Sequence, residues 1–104
     1  MKTVAFKMKL KPGFAEEYQK RHDAIWPELV LLLQNAGISD YSIFFDEETN
    51  DLFAVQKLDG ASTSQGLASD PIVQKWWSFM SDIMECHPDL SPVTKPLKQV
   101  FYMP

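Results

Sequence analysis

The chain has 104 residues, 45% hydrophobic and 23% charged, with a formal charge of -4, which suits one globular domain over residues 1–104 and excludes a two-domain enzyme or a dinucleotide-binding domain of ordinary size. The acidic balance disfavours nucleic acid and anionic membrane surfaces as partners, because no segment concentrates lysine and arginine, and the longest apolar run, Leu29 to Leu33, falls far short of the ~20 residues of a membrane span. Lys7 interrupts the N-terminal apolar stretch too early for a secretory leader, and the single cysteine, Cys86, permits no internal disulfide, so a cytoplasmic location is expected.

Val4, Phe6, Met8 and Leu10 alternate with Ala5, Lys7 and Lys9, the period of a half-buried strand, which Pro12-Gly13 ends. From Phe14 the period lengthens to that of a helix, with Tyr18, Ile25, Leu29, Leu32 and Leu33 on one stripe. Proline lacks an N–H and clashes inside a helix, so Pro27 predicts a break near Asp23 to Trp26 and a second helical piece stopping at Gly37. Tyr41 to Phe45 and Leu52 to Leu58 read as strands joined by the acidic turn Asp46 to Asn50, a hairpin. Gly60 to Gly66 is a small-residue loop, with a helical turn at Ser64 to Ala68. Asp70-Pro71 reads as N-cap and first helical residue of a helix running through Trp76, Trp77 and Met80 to Ile83 and Met84. His87 to Pro96 is extended or turning, and Leu97 to Met103 alternates as a last strand.

The order β-α-β-β-α-β predicts an α+β, ferredoxin-like fold, an antiparallel sheet with its helices on one face. Strands two to four are apolar on both faces, and the helices cover only one of them. A homodimer packed through the other sheet face, as in a dimeric α/β barrel, is the simplest expectation.

No metal-ligand spacing, glycine-rich phosphate loop or nucleophile elbow is present. What remains is an aromatic and hydroxyl set around one histidine. His22 follows Tyr18 by four residues, one turn away on the same helix face, and an imidazole with a phenol beside it suits general acid–base work near neutral pH. The plainer reading is a hydrogen-bonded structural histidine. Trp76 and Trp77 point about 100° apart on a helix, so one is expected in the core and the other against a cavity or subunit boundary. Tryptophan faces stack on the C–H faces of sugars or on aromatic cofactors, while the plain alternative is two core residues. Tyr41 projects into the same space or joins a cross-strand aromatic pair. Asp23 and Glu28 flank the break, where they either orient His22 or a ligand hydroxyl or, in the favoured reading, cap a helix near Pro27; Asp46, Glu47, Glu48 and Asp51 read as a solvated turn and Cys86 as an inert thiol.

The run Tyr18-Gln19-Lys20-Arg21-His22-Asp23-Ala24-Ile25-Trp26-Pro27-Glu28-Leu29 resembles the Y-x-x-R-H-x-x-I-W-P-E-L signature of L-rhamnose mutarotases. Gly37 to Phe45, Trp76-Trp77, Ser91-Pro92-Val93 and Val100-Phe101-Tyr102 resemble that family in the same order, from end to end of the chain. The resemblance implies a dimeric ferredoxin-like isomerase that interconverts the α and β anomers of L-rhamnose and needs no metal or cofactor. It implies that His22 is the proton donor and that Tyr18, Tyr41, Trp76 and Trp77 contact the sugar. Ring opening delivers one proton to the ring oxygen, which His22 is expected to supply. The proton from the anomeric hydroxyl goes to water, a tyrosine or a nearby carboxylate, and the residues leave these open. Where the family has Asn-Pro-Asp-Asn before Ser-Pro, this chain has His87-Pro88-Asp89-Leu90, so Leu90 is expected to remove a polar contact if that loop closes the pocket. The competing readings are a haem-linked or cofactor-free oxygenase on a similar dimeric barrel and a non-catalytic sugar-binding module.

Overall fold

The N-terminal alternation becomes strand β1, Lys2–Lys9, in the computed structural model, which describes residues 2–60 and 63–104. The first helical stripe divides at the proline as expected, into α1, Ala15–Asp23, and α2, Pro27–Asn35. Helix α1 carries Glu16 and Glu17 in its first turn and Lys20, Arg21 and His22 in its last, both signs matching the helix dipole. Pro27 occupies the start of α2, where an N–H would have no helical partner, and Trp26 before it is extended at φ -64 and ψ 128. The cap of α2 has no side-chain hydrogen bond, and Asp23 and Glu28 are exposed, so neither carboxylate does the capping the sequence suggested. Gly37 ends α2 at φ +85, and a Cβ there would lie 2.6 Å from the carbonyl oxygen of Asp59. Both the conformation and the space call for glycine.

Strands β2, Ile38–Asp46, and β3, Asp51–Leu58, form the expected hairpin. Its turn is held by the Glu48 N–H donating to Asp46 Oδ1 at 2.9 Å, with Asn50 at φ 62. A 3₁₀ turn spans Ser64–Leu67; residues 61 and 62 of the small-residue loop lie outside the described residues. Helix α3, Pro71–Met80, opens with Asp70 Oδ1 accepting from the Ile72 N–H at 2.9 Å, as its sequence required. Strand β4 is Thr94–Leu97. The four strands lie in the order β2-β3-β1-β4 with every pairing antiparallel, the ferredoxin-like arrangement. One sheet face packs Phe6, Met8, Leu52 and Ala54 against Tyr18, Leu29, Val73 and Met80 of the helices.

Two boundaries depart from the sequence expectation. Helix α3 stops at Met80 rather than Met84: Ile83 N–H turns back to the Met80 carbonyl at 3.2 Å, and Met84 bridges Leu10. Ile83 and Met84 are nevertheless buried, so their apolar character reports core packing and not helix. The last strand is Thr94–Leu97, because the free edge of β1 at Ala5 to Met8 pairs there. Pro96 is tolerated in it because β4 is an edge strand. The alternation of Val100 to Met103 finds no strand partner among the described residues, and these side chains are 70–89% exposed.

Strand β2 carries one irregularity, a bulge near its start. Ser39 pairs with Lys57 and Ser42 with Val55, so Asp40 and Tyr41 together face the single residue Gln56. Asp40 adopts φ 46, a left-handed conformation that aspartate accepts more readily than most residues. This bulge changes the strand's phase: Ile38 points to the helix side before it, and Tyr41, Ile43 and Phe45 do so after it.

Candidate active site

Between the helices and the sheet lies a cavity of about 1070 Å³, at the upper end of the ~300–1,000 Å³ usual for small-molecule sites. Tyr18, His22, Tyr41, Trp76 and Trp77 all line it, so the fold brings together the five residues expected at the sugar site. The expected division of the tryptophans, one to the core and one to the cavity, does not hold. Both are buried and both reach the cavity wall.

His22 sits at the centre of an aromatic cradle. Its ring stacks on Tyr18 with centroids 4.2 Å apart and planes at 28°, as the four-residue spacing on α1 dictates. Trp76 stands perpendicular to it, with centroids 5.4 Å apart and planes at 88°. Trp26, from the extended joint before Pro27, meets Trp76 in turn at 5.1 Å and 84°. The sequence marked Trp26 at the helix break and within the family signature but not as part of the site; its aromatic contact is tertiary and has no local signal.

The His22 Nδ1 lies 3.0 Å from the main-chain carbonyl of Tyr18. A carbonyl only accepts, so Nδ1 carries the hydrogen and Nε2 of the neutral ring has the lone pair. Burial lowers the imidazole pKa below 6.5, opposed by that backbone bond and by the nearby charge of Asp23. At neutral pH the ring is therefore an uncharged acceptor at Nε2. Both phenols are held firmly protonated. Burial raises the Tyr18 pKa, with the neighbouring Tyr41 adding to it, and burial raises that of Tyr41.

Behind Tyr41 is a polar pair that the sequence pattern does not single out. Gln56 is fully buried and Ser64 nearly so. Gln56 Nε2 donates to Ser64 Oγ, and the Ser64 N–H donates back to Gln56 Oε1 at 3.2 Å. The available signal was parity, since Leu52, Ala54, Gln56 and Leu58 share one face of β3 and only Gln56 is polar.

Leu90 does not belong to the cavity wall among the described residues. It is a turn residue at φ 71, a left-handed conformation that asparagine adopts more readily than leucine. Cys86 is half-buried with its thiol pKa raised by burial, which agrees with an inert side chain. Among the described residues no cluster of three His, Cys, Asp or Glu side chains could hold a metal ion, and no helix is long and apolar enough to cross a membrane.

The family model described as L-rhamnose mutarotase matches residues 3–103. The chain is 61% identical to an L-rhamnose mutarotase of Bacteroides thetaiotaomicron and 60% identical to one of Phocaeicola vulgatus, each over 99% of both chains. Its backbone superposes on the crystal structure of L-rhamnose mutarotase from Formosa agariphila with a TM-score of 0.93, at 55% identity and full coverage of both chains. By its matched length, its sequence identity and its fold, this chain belongs to the L-rhamnose mutarotase family.

Proposed function

We propose that this protein is an isomerase that interconverts the α and β anomers of L-rhamnose, with His22 moving the proton and Tyr18, Tyr41, Trp76 and Trp77 holding the sugar. The observation that carries the reading is His22 itself: a neutral imidazole facing the cavity between Tyr18 and Trp76, in a chain so similar to named mutarotases.

Ring opening moves one proton from the anomeric hydroxyl O1 to the ring oxygen O5, and both oxygens are bonded to C1. Since Nε2 rests as an acceptor, it takes a proton before it gives one. As Nε2 takes the O1 proton, the O1 electrons form the C1=O1 bond and the C1–O5 bond breaks with its pair on O5. The imidazolium then protonates O5, leaving the open-chain aldehyde. Rotation about C1–C2 presents the other carbonyl face, and the same steps in reverse close the ring as the other anomer. This uses one base for both proton sites, so no tyrosinate is required. Acid–base assistance of this kind supplies about 10²–10⁴-fold. The tryptophan faces suit the C–H-rich side and the methyl group of a 6-deoxy sugar, while the phenols offer O–H donors to its hydroxyls.

Saturation-transfer NMR on L-rhamnose at anomeric equilibrium tests the reading. Faster exchange with the native protein that collapses in His22→Ala supports it. No acceleration by the native protein overturns the activity, and acceleration retained by His22→Ala moves the proton transfer to another residue.

The assembly we infer is a homodimer through the outer sheet face. That face carries Phe44 opposite Phe53, and Ala5 between Val55 and Leu97, and Phe44 is 63% exposed. The segment Val100 to Met103, which follows β4, is apolar and exposed as well. An exposed apolar surface of this kind marks an interface. Sedimentation equilibrium is expected to give twice the chain mass, and a chain ending at Leu97 is expected to dissociate; a native monomer at micromolar concentration rejects the dimer. A chain with one half-buried thiol fits a reducing compartment, and we infer the cytoplasm, to be checked by fractionation of the native host.

A further inference from the structure

Helix α1 carries Tyr18 and His22, whereas Trp76 and Trp77 stand on α3. The contacts that fix the imidazole within α1 are its stack on Tyr18 and its Nδ1 bond to the Tyr18 carbonyl. Neither of them fixes α1 against α3. A helix of nine residues is too short to hold itself in water, and Tyr18 is the only buried residue of this one. The seating of its last turn therefore depends on what ties that turn to the rest of the fold.

Arg21 is that tie. Among the described residues, it makes the only side-chain hydrogen bonds that leave α1. Its Nη1 donates at 2.8 Å to the Phe79 carbonyl, one of the last carbonyls of α3, which no N–H within that helix reaches. Nη1 and Nη2 fork onto the two oxygens of Asp82 at 2.8 and 3.2 Å, and Nε donates to Glu17 at 2.7 Å. Positive charge at this end also suits the dipole of α3. The guanidinium lies over the Phe79 ring, and that ring packs on Trp76 with centroids 5.7 Å apart. Contacts thus run from Arg21 through Phe79 and Trp76 to His22, the next residue in the chain.

Adjacent residues of a helix point about 100° apart, so pinning Arg21 to the end of α3 sets the rotation at which α1 presents His22. We propose that Arg21 is a positioning residue for the proton transfer: its clamp onto Phe79 and Asp82 holds the His22 ring against Trp76 at the cavity wall. This rests on the reading that His22 moves the proton. Among the described residues Arg21 is not on the cavity wall, and it acts only through His22.

The test compares two variants, each assayed at a temperature where circular dichroism shows it fully folded. Arg21→Met keeps an apolar stem and loses every donor. It is expected to lower kcat for L-rhamnose anomer exchange about ten- to hundredfold, as a misplaced reacting group does, with KM within about twofold of native. Asp82→Ala removes the fork and leaves the Phe79 bond. It is expected to lower kcat about threefold in the native background and not at all in the Arg21→Met background. The second readout needs no sugar. In protein labelled with carbon-13 in its two histidines, recorded above pH 6.5 where the ring is uncharged, each variant should shift the imidazole resonance that is absent from His22→Ala. Adding Asp82→Ala to Arg21→Met should move that resonance no further. If Arg21→Met does not fold, Asp82→Ala carries the test alone, since Asp82 is 65% exposed and lies outside the cavity wall. Native kcat, a change confined to KM, an unmoved resonance, or an equal effect of Asp82→Ala in both backgrounds each overturns the proposal. If the native protein does not accelerate anomer exchange, the mutarotase reading fails, and the resonance alone decides whether Arg21 seats His22.

Discussion

The Nδ1 of His22 and the main-chain oxygen of Tyr18 lie 3.0 Å apart, one turn along α1. The helix thus fixes the tautomer of the ring that completes its last turn. Proton acceptance at Nε2 requires the neutral ring, whose pKa burial has lowered below 6.5. The kcat/KM for anomer exchange should be flat above that value and fall on the acid side with a midpoint below it. A midpoint above pH 6.5 would contradict an acceptor role. The same shift couples to folding. The unfolded chain takes up the proton first, so this contribution to stability is complete above pH 6.5 and is lost as pH falls through the lower folded value. His22→Gln should remove that segment of the pH–stability curve, measured by urea unfolding.

Trp76 and Trp77 both wall the cavity, but only Trp76 meets the imidazole. Replacing either with phenylalanine should raise KM more than it lowers kcat, by about two- to tenfold for the loss of one stacking face. Trp76→Phe should also move the acidic limb of the pH profile, and Trp77→Phe should not. Unchanged KM in both variants would show that neither ring meets the sugar.

Arg21 ties α1 to the end of α3. Its Nε reaches Glu17 at 2.7 Å, its Nη1 reaches both Asp82 and the Phe79 carbonyl at 2.8 Å, and its guanidinium lies 4.6 Å from the centre of the Phe79 ring. Lysine cannot reproduce that fork. Because Asp82 is solvent-exposed and Glu17 partly so, Arg21→Lys should cost only about 1–2 kcal/mol in urea unfolding, and less in high salt. No change in the urea midpoint would mean that the contacts are not populated in solution.

Two left-handed positions make opposite predictions. Leu90 stands at φ 71, where a branched side chain is strained, so Leu90→Asn should stabilise the fold by about 1 kcal/mol without altering anomer exchange. Gly37→Ala would bring a Cβ to 2.6 Å from the Asp59 carbonyl oxygen at φ +85 and should destabilise by about 2 kcal/mol or more. Differential scanning calorimetry of the two variants, moving Tm in opposite directions, is the check.

Local chemistry made most elements legible. Pro27 and Gly37 punctuate α2, and Asp70-Pro71 opens α3, each through a steric or capping rule confined to a few residues. Periodicity alone misplaced the ends. Ile83 and Met84 are apolar because they are buried, not because they are helical, and the alternation after Leu97 lacks a strand partner within the described chain. The Tyr18–His22 pair was visible because helix geometry sets it directly. Trp26 against Trp76, and Gln56 behind Tyr41, depend on how separate elements meet, and no spacing along the chain encodes that.

The extra residue at Asp40 makes β2 a splice of two alternating frames. Odd-numbered residues after it face the helices, whereas Ile38 before it does so with even parity. Closing the bulge with every residue kept, so that Asp40 alone pairs with Gln56 and Tyr41 with Val55 while the Ile38–Leu58 pairing holds, would carry Ile43 and Phe45 to the outside and draw Ser42 and Phe44 inward, turning the sheet's wet and dry sides over along half the strand. The cavity's aromatic wall is therefore vulnerable to a one-residue slip in pairing that alters no aromatic residue at all.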